Sequence, residues 1–176
     1  MLTIKRILFG SLITLLLSIS QGAIAVEKEY ALKAGFLFNF ARYGEWNNQA
    51  NTASSFTLCS PDNSFVSVSR SILKGRKVNN LPIENVEVSL TETNLAQCNI
   101  LFITTDTLES WQQLNNKYLA DVMIVGETDN FIEQGGHIRF FLSGGKIRFE
   151  VSPDKLKLSG ITMSSKVLRL GRVVNN

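Results

Sequence analysis

The chain has 176 residues, 44% of them hydrophobic and 19% charged, which allows one domain with a real buried core. Its formal net charge is +3, and two of those charges, Lys5 and Arg6, sit in the first few residues. The remainder carries +1, which excludes the basic field that draws a protein to nucleic acid.

Lys5 and Arg6 open a positive start, Ile7 to Ile19 form an apolar run, and Ala23-Ile24-Ala25 closes it with small residues. That is the layout of a cleavable export signal over residues 1–25, with cleavage before Val26. A membrane-spanning helix needs roughly 20 apolar residues; this run is shorter and contains Gly10, Ser11, Thr14 and Ser18. Residues 26–176 are then expected to be a single exported domain.

Residues 27–45 lack proline and place apolar side chains at helical spacing. At 100° per residue they fall into two stripes. Tyr30, Ala34, Leu37, Phe38 and Ala41 form the first; Leu32, Phe36, Phe40 and Tyr43 form the second. One stripe suffices to bury a surface helix, so the second requires another cover. Either a further helix of the domain supplies it, or Leu32, Phe36, Phe40 and Tyr43 are a candidate dimer or partner interface, where aromatic residues concentrate.

After a polar connection over residues 47–55, Phe56 to Cys59 reads as a strand ended by Pro61. Ser64 is a cap for a helix carrying Phe65, Val68, Ile72 and Leu73 and stopped at Gly75. A strand follows over Ile83 to Val88, then a buried strand Ile100 to Ile103, a helix Thr107 to Tyr118, and a buried strand Val122 to Val125. Strands that are apolar at every position suit a sheet covered on both faces. Their alternation with helices indicates an α/β layered domain.

Gly144-Gly145 is a two-residue hairpin signal. Pairing about it sets Leu142 opposite Ile147, Phe140 opposite Phe149, and Ile138 opposite Val151, with Arg139 opposite Glu150 and Phe141 opposite Arg148. A three-residue loop loses every match, so the register is specified. Phe141, on the second face, needs a cover or a cation–π partner. After Pro153 a short basic turn leads to Gly160. Ser164 or Ser165 then caps a final helix with Met163, Val167, Leu170 and Val174 inward and Lys166, Arg169 and Arg172 as a solvated basic stripe. The fold class expected is a layered mixed α/β sheet flanked by helices, with a C-terminal antiparallel hairpin and final helix.

Cys59 and Cys98 are the only cysteines. In an exported chain such a pair reads as a disulfide; the alternative is two buried thiols acting as small apolar side chains. His137 is the sole histidine and lacks the company of a metal site, so it reads as structural or surface. No nucleophile elbow, phosphate loop or dinucleotide fingerprint is present, and Cys-x-x-Cys is missing. Glu127, Asp129 and Glu133 form an acidic group that fits no calcium loop; a position beside a helix start accounts for them. No catalytic residue, cofactor or metal is expected.

The segment from Glu29 to Trp46, Glu-Tyr-Ala-Leu-Lys-Ala-Gly-Phe-Leu-Phe-Asn-Phe-Ala-Arg-Tyr-Gly-Glu-Trp, resembles the opening motif of the YfiR family. Further matches follow in order: Phe56 to Cys59, Cys98 to Ile103, Gly135-Gly136, Gly145 to Glu150, and Gly160 through Ser164 to Leu168. The resemblance implies a periplasmic repressor, not an enzyme. It would bind the periplasmic domain of an inner-membrane diguanylate cyclase or other signalling receptor and lower cyclic-di-GMP output and surface attachment. It further implies a homodimer, sequestration by an outer-membrane lipoprotein, and pairing of Cys59 with Cys98. The family's second disulfide has no counterpart, since Phe131 to Leu142 contains no cysteine, and Asn47 stands where the family has proline. The alternative is a periplasmic small-ligand binding module using a crevice at the strand ends.

Overall fold

A computed structural model describes residues 24–47, 54–114 and 119–175. Most of the expected export signal, residues 1–23, lies outside the described residues, as does 48–53 of the polar connection and 115–118 of the helix expected over Thr107 to Tyr118.

Helix α1 covers residues 24–43 and passes directly into strand β1, Gly44–Trp46. The remaining elements are β2 (Phe56–Ser60), α2 (Asn63–Ile72), β3 (Lys77–Val78), β4 (Leu81–Glu87), α3 (Glu92–Leu95) and β5 (Ile100–Ile103). They continue with α4 (Leu108–Gln112), β6 (Met123–Gly126), β7 (Ile138–Ser143) and β8 (Lys146–Val151), then α5 (Pro153–Leu158), β9 (Ile161–Met163), α6 (Ser165–Leu168) and β10 (Arg172–Val173). Eight strands form one mixed sheet in the order β10-β8-β7-β6-β5-β2-β4-β3, and β1 pairs with β9 in a separate ribbon. Strands β4, β2, β5, β6 and β7 run parallel; β3 is antiparallel to β4 and β8 to β7, and β10 runs parallel to β8. This is the layered α/β architecture with a C-terminal hairpin that the sequence indicates.

The central strands alternate between two cores. Ile100, Phe102, Met123 and Val125 join Tyr30, Leu37 and Phe40 of α1 with Phe65 of α2 on one face. Leu101, Ile103 and Ile124 join Leu95, Trp111 and Phe131 on the other. Continuous apolar strands therefore do lie in a sheet covered on both sides. The hairpin register is the one expected, from Ile138↔Val151 through Phe140↔Phe149 to Leu142↔Ile147. Gly144 and Gly145 both take positive φ, 60° and 70°, as a type I′ turn demands.

Four local expectations change. Helix α1 stops at residue 43 because Gly44 enters β1, whose three residues pair with β9 in antiparallel register. The cap of α2 is Asp62, not Ser64: its Oδ1 accepts the Ser64 and Phe65 N–H groups at 2.9 and 3.1 Å. Helix α4 ends at Gln112. The final helix is a short α6 capped by Ser164; Gly171 sits where a Cβ would fall 2.3 Å from the Phe149 ring, and Arg172–Val173 instead pair with β8. Leu170, expected inward, is exposed, and Arg172 leaves the basic stripe to bind Glu150.

Candidate interaction surface and crevice

Helix α1 buries Tyr30, Ala34, Leu37, Phe38 and Ala41 against the sheet, so the first stripe is core. The second stripe is divided. Phe40 is 1% exposed, and the half-buried Phe36 lies beside it. The hairpin, not another helix, covers both: Phe36 meets Phe140 and Phe149 at ring-centroid distances of 5.7 and 6.0 Å, and Phe40 meets them at 5.9 and 4.9 Å. Leu32 and Tyr43 remain 59% and 37% exposed. On the hairpin, Leu142 is exposed beside the partly buried Ile147, which packs against the same core as Phe36. Phe36 and Ile147 are thus the half-buried apolar groups where α1 meets the hairpin, while Leu32 on α1 and Leu142 on the hairpin are exposed.

Charged groups border this surface. Lys33 is 4% exposed, and its ammonium is held by Glu29 one turn earlier and by Glu127 at 2.5 Å. Glu127 follows β6 and also accepts the Thr105 N–H and hydroxyl at 2.7 and 3.0 Å. One carboxylate therefore ties α1 to the ends of β5 and β6. Arg139 donates to Glu150 at 2.6 Å and pairs with Asp129. Glu150 also receives the Arg172 guanidinium, through Nε at 3.0 Å. Arg139 and Arg172 both lie over the Phe141 ring, at 5.4 and 4.9 Å from its centroid, which supplies the cation–π cover that ring requires. The acidic group is thereby dispersed: Glu127 and Asp129 serve separate cations, and Glu133 is exposed. It precedes a strand, and among the described residues the helical start it serves is the 3-10 turn at Thr105, through Glu127. Among the described residues no cluster of three or more His, Cys, Asp or Glu side chains could hold a metal ion.

Between Lys33, Glu127, Arg139 and Leu142 lies a crevice of about 330 Å³. It opens at the carboxyl ends of β5 and β6, where open α/β sheets bind ligands. Lys33, Glu127 and Arg139 are engaged with one another's elements, so the crevice is walled by closed ion pairs.

His137 and Ser159 form the one Ser–His contact described, 3.0 Å between Nε2 and Oγ. Nδ1 accepts the Ile124 N–H at 2.9 Å, so the proton is on Nε2 and the ring donates to the serine. That is the wrong tautomer for a general base. Burial, and next the Lys155 ammonium, lower the His137 pKa from 6.5 to about 4. The pair is structural.

Cys59 in β2 and Cys98 before β5 form a disulfide with their Cα atoms 5.8 Å apart, inside the core on the α3–α4 face. Sequence reasoning missed the Lys33–Glu127 pair and the Tyr30 hydroxyl's bond to Asp62. A lysine set between two apolar stripes, with Glu29 one turn away, was the available signal for a buried cation. Among the described residues no helix is long and apolar enough to cross a membrane.

A model of the family described as YfiR/HmsC-like matches residues 30–172, from the start of the buried face of α1 to β10. No curated protein matches the chain in sequence.

Proposed function

The chain belongs to the YfiR/HmsC-like family, and from that premise we propose that it is a periplasmic regulator that binds and represses a membrane signalling protein. The target we propose is a diguanylate cyclase, whose periplasmic domain the protein holds in the low-activity state. The observation that carries this reading is the family match over residues 30–172. The exposed Leu32 and Tyr43 on α1 and the exposed Leu142 on the hairpin support an interaction role. Repression demands only a difference in affinity between two states of the target. Moving a balanced cyclase to 99:1 takes roughly 2.7 kcal/mol, within reach of a modest contact. No chemistry on a substrate is required.

A homodimer, and release by an outer-membrane lipoprotein, belong to the same proposal. The test is capture from native membranes with the protein tagged at its C-terminus and expressed with its own N-terminal segment. Recovery of a membrane diguanylate cyclase supports the proposal; recovery of a histidine kinase or other receptor moves the target while keeping the class. Recovery of no membrane signalling protein counts against it.

A second reading, a small-ligand binding module, is favoured by the crevice at the ends of β5 and β6. A saturable thermal shift with one compound of a metabolite panel, and no affinity for any cyclase domain, would select it.

A further inference from the structure

We infer that His137 is an acid-sensitive latch: protonation of its ring releases the α5–β9 segment, and with it β1 at the end of α1, from the main sheet. The inference goes beyond repression and does not depend on which partner is bound.

His137 clamps both ends of α5 to β6. Its N–H donates to the Ile124 carbonyl at 2.8 Å, and its ring Nδ1 accepts the Ile124 N–H in return. Its carbonyl accepts the N–H of Ser152, the N-cap of α5, at 2.9 Å. Its Nε2–H reaches the hydroxyl of Ser159, the C-cap of the same helix. The Ser159 carbonyl also accepts the Asp121 N–H at 2.8 Å. Two residues later β9 begins and pairs with β1 through Gly44↔Met163 and Trp46↔Ile161. Asn47 N–H to Gly160 and Ser164 N–H to the Tyr43 carbonyl, both 2.9 Å, close the ribbon. Leu156, Ile161, Met163 and Trp46 pack this segment into the core of the sheet, and the imidazole adds the titratable link between the sheet and the segment that holds the end of α1.

An imidazolium is disfavoured at this position. Both ring nitrogens would carry protons, leaving the Ile124 N–H opposed by a donor. The ring is 4% exposed, so the charge would be buried. The charged group facing it is a second cation, Lys155 of α5, which donates to the Ile132 carbonyl. The ring nitrogens meet the Ile124 N–H and the Ser159 hydroxyl, not a carboxylate. Glu150 of β8 is engaged by Arg139 and Arg172, Glu133 of the preceding turn is exposed, and Asp121 ahead of β6 sets its carboxylate against Gly160, just past the C-cap of α5.

The sign follows. In the closed form the ring stays neutral down to about pH 4; once released, it titrates near 6.5. Between those values the open form binds a proton that the closed form refuses, so acid favours opening. From pH 7 to pH 5 the opening equilibrium rises about 20-fold.

Hydrogen exchange of the purified protein at pH 7 and pH 5, corrected for intrinsic rates, tests this. Amides of residues 155–163 and 44–46 should be less protected than those of β5 at both pH values and lose about 20-fold protection at pH 5. In His137→Asn, whose amide oxygen can still accept from Ile124 but cannot titrate, that loss should vanish. An equal loss in the variant, or protection of these amides matching that of β5, would overturn the inference. Because the chain has one histidine, its ring resonances give a second readout even if the variant does not fold. Titration near 6.5 overturns the latch; titration well below 6.5 upholds it when the amides of residues 155–163 and 44–46 lose protection at pH 5 ahead of those of β5.

Discussion

Cys59 and Cys98 are 39 residues apart in sequence and join β2 to the approach to β5. Closing a loop of that length restricts the unfolded chain, and the entropy estimate for it is roughly 4 kcal/mol. Replacing both cysteines by alanine should lower the unfolding free energy by about 2–4 kcal/mol in a denaturant titration. Thiol labelling of the non-reduced protein should modify neither; labelling of both would show that the pair is open. Glycine at 136 is a different kind of constraint. A Cβ there would lie 2.3 Å from the Phe131 ring, which is fully buried and packs on Trp111 with centroids 5.9 Å apart. Gly136→Ala should therefore cost about 1–3 kcal/mol by overpacking. Gly35, in the middle of α1, has nothing within 4 Å of the same atom, and Gly35→Ala should stabilise by about 0.5–1 kcal/mol. Paired melting curves check both signs.

Among the elements, α1 carries the two tests that bear on function. Phe40→Asp should prevent folding, since that ring is enclosed by Phe36, Phe140 and Phe149. Leu32→Asp should leave a folded protein, because Leu32 touches solvent, yet abolish self-association or partner binding. A folded Leu32→Asp protein that still associates and represses would remove this face from the proposal. The buried ion pair that ties α1 to β6 is asymmetric. Glu127→Ala leaves Lys33 buried with Glu29 alone and should cost about 3 kcal/mol, whereas Lys33→Met should cost less, since an apolar stem replaces the charge in an apolar setting. Chemical denaturation of the two variants compares them. The hairpin shows what a sequence states by itself: Arg139 against Glu150 and Phe140 against Phe149 admit one register across a two-residue turn. The β1–β9 ribbon shows what it does not. Gly44-Glu45-Trp46 continues a helical pattern, and only a strand over a hundred residues later draws it out of the helix. β10 is similar, since its two residues are strands by virtue of the β8 edge they meet.

Across the whole molecule, the layered class was legible because β5 and β6 are apolar at each position and alternate between two cores. The strand order was not, because parallel neighbours such as β2 and β4 are joined through α2 and carry no pairing signal in sequence. The candidate surface was legible in half. The second stripe of α1 marked where cover was needed, but it could not distinguish Phe36 and Phe40, which the hairpin takes, from Leu32 and Tyr43, which it leaves outside. Glu127, Arg139 and Glu150 are spent on holding α1, the β6 loop and β10 together, and the single histidine ties β6 to Ser159.

The most direct measurement is intracellular cyclic-di-GMP in a strain lacking this protein, set against the same strain with the gene restored. Loss of a repressor should raise the nucleotide, and restoring the intact chain should bring it back while the Leu32→Asp chain does not. An unchanged nucleotide level in cells that express the membrane cyclase would contradict the account.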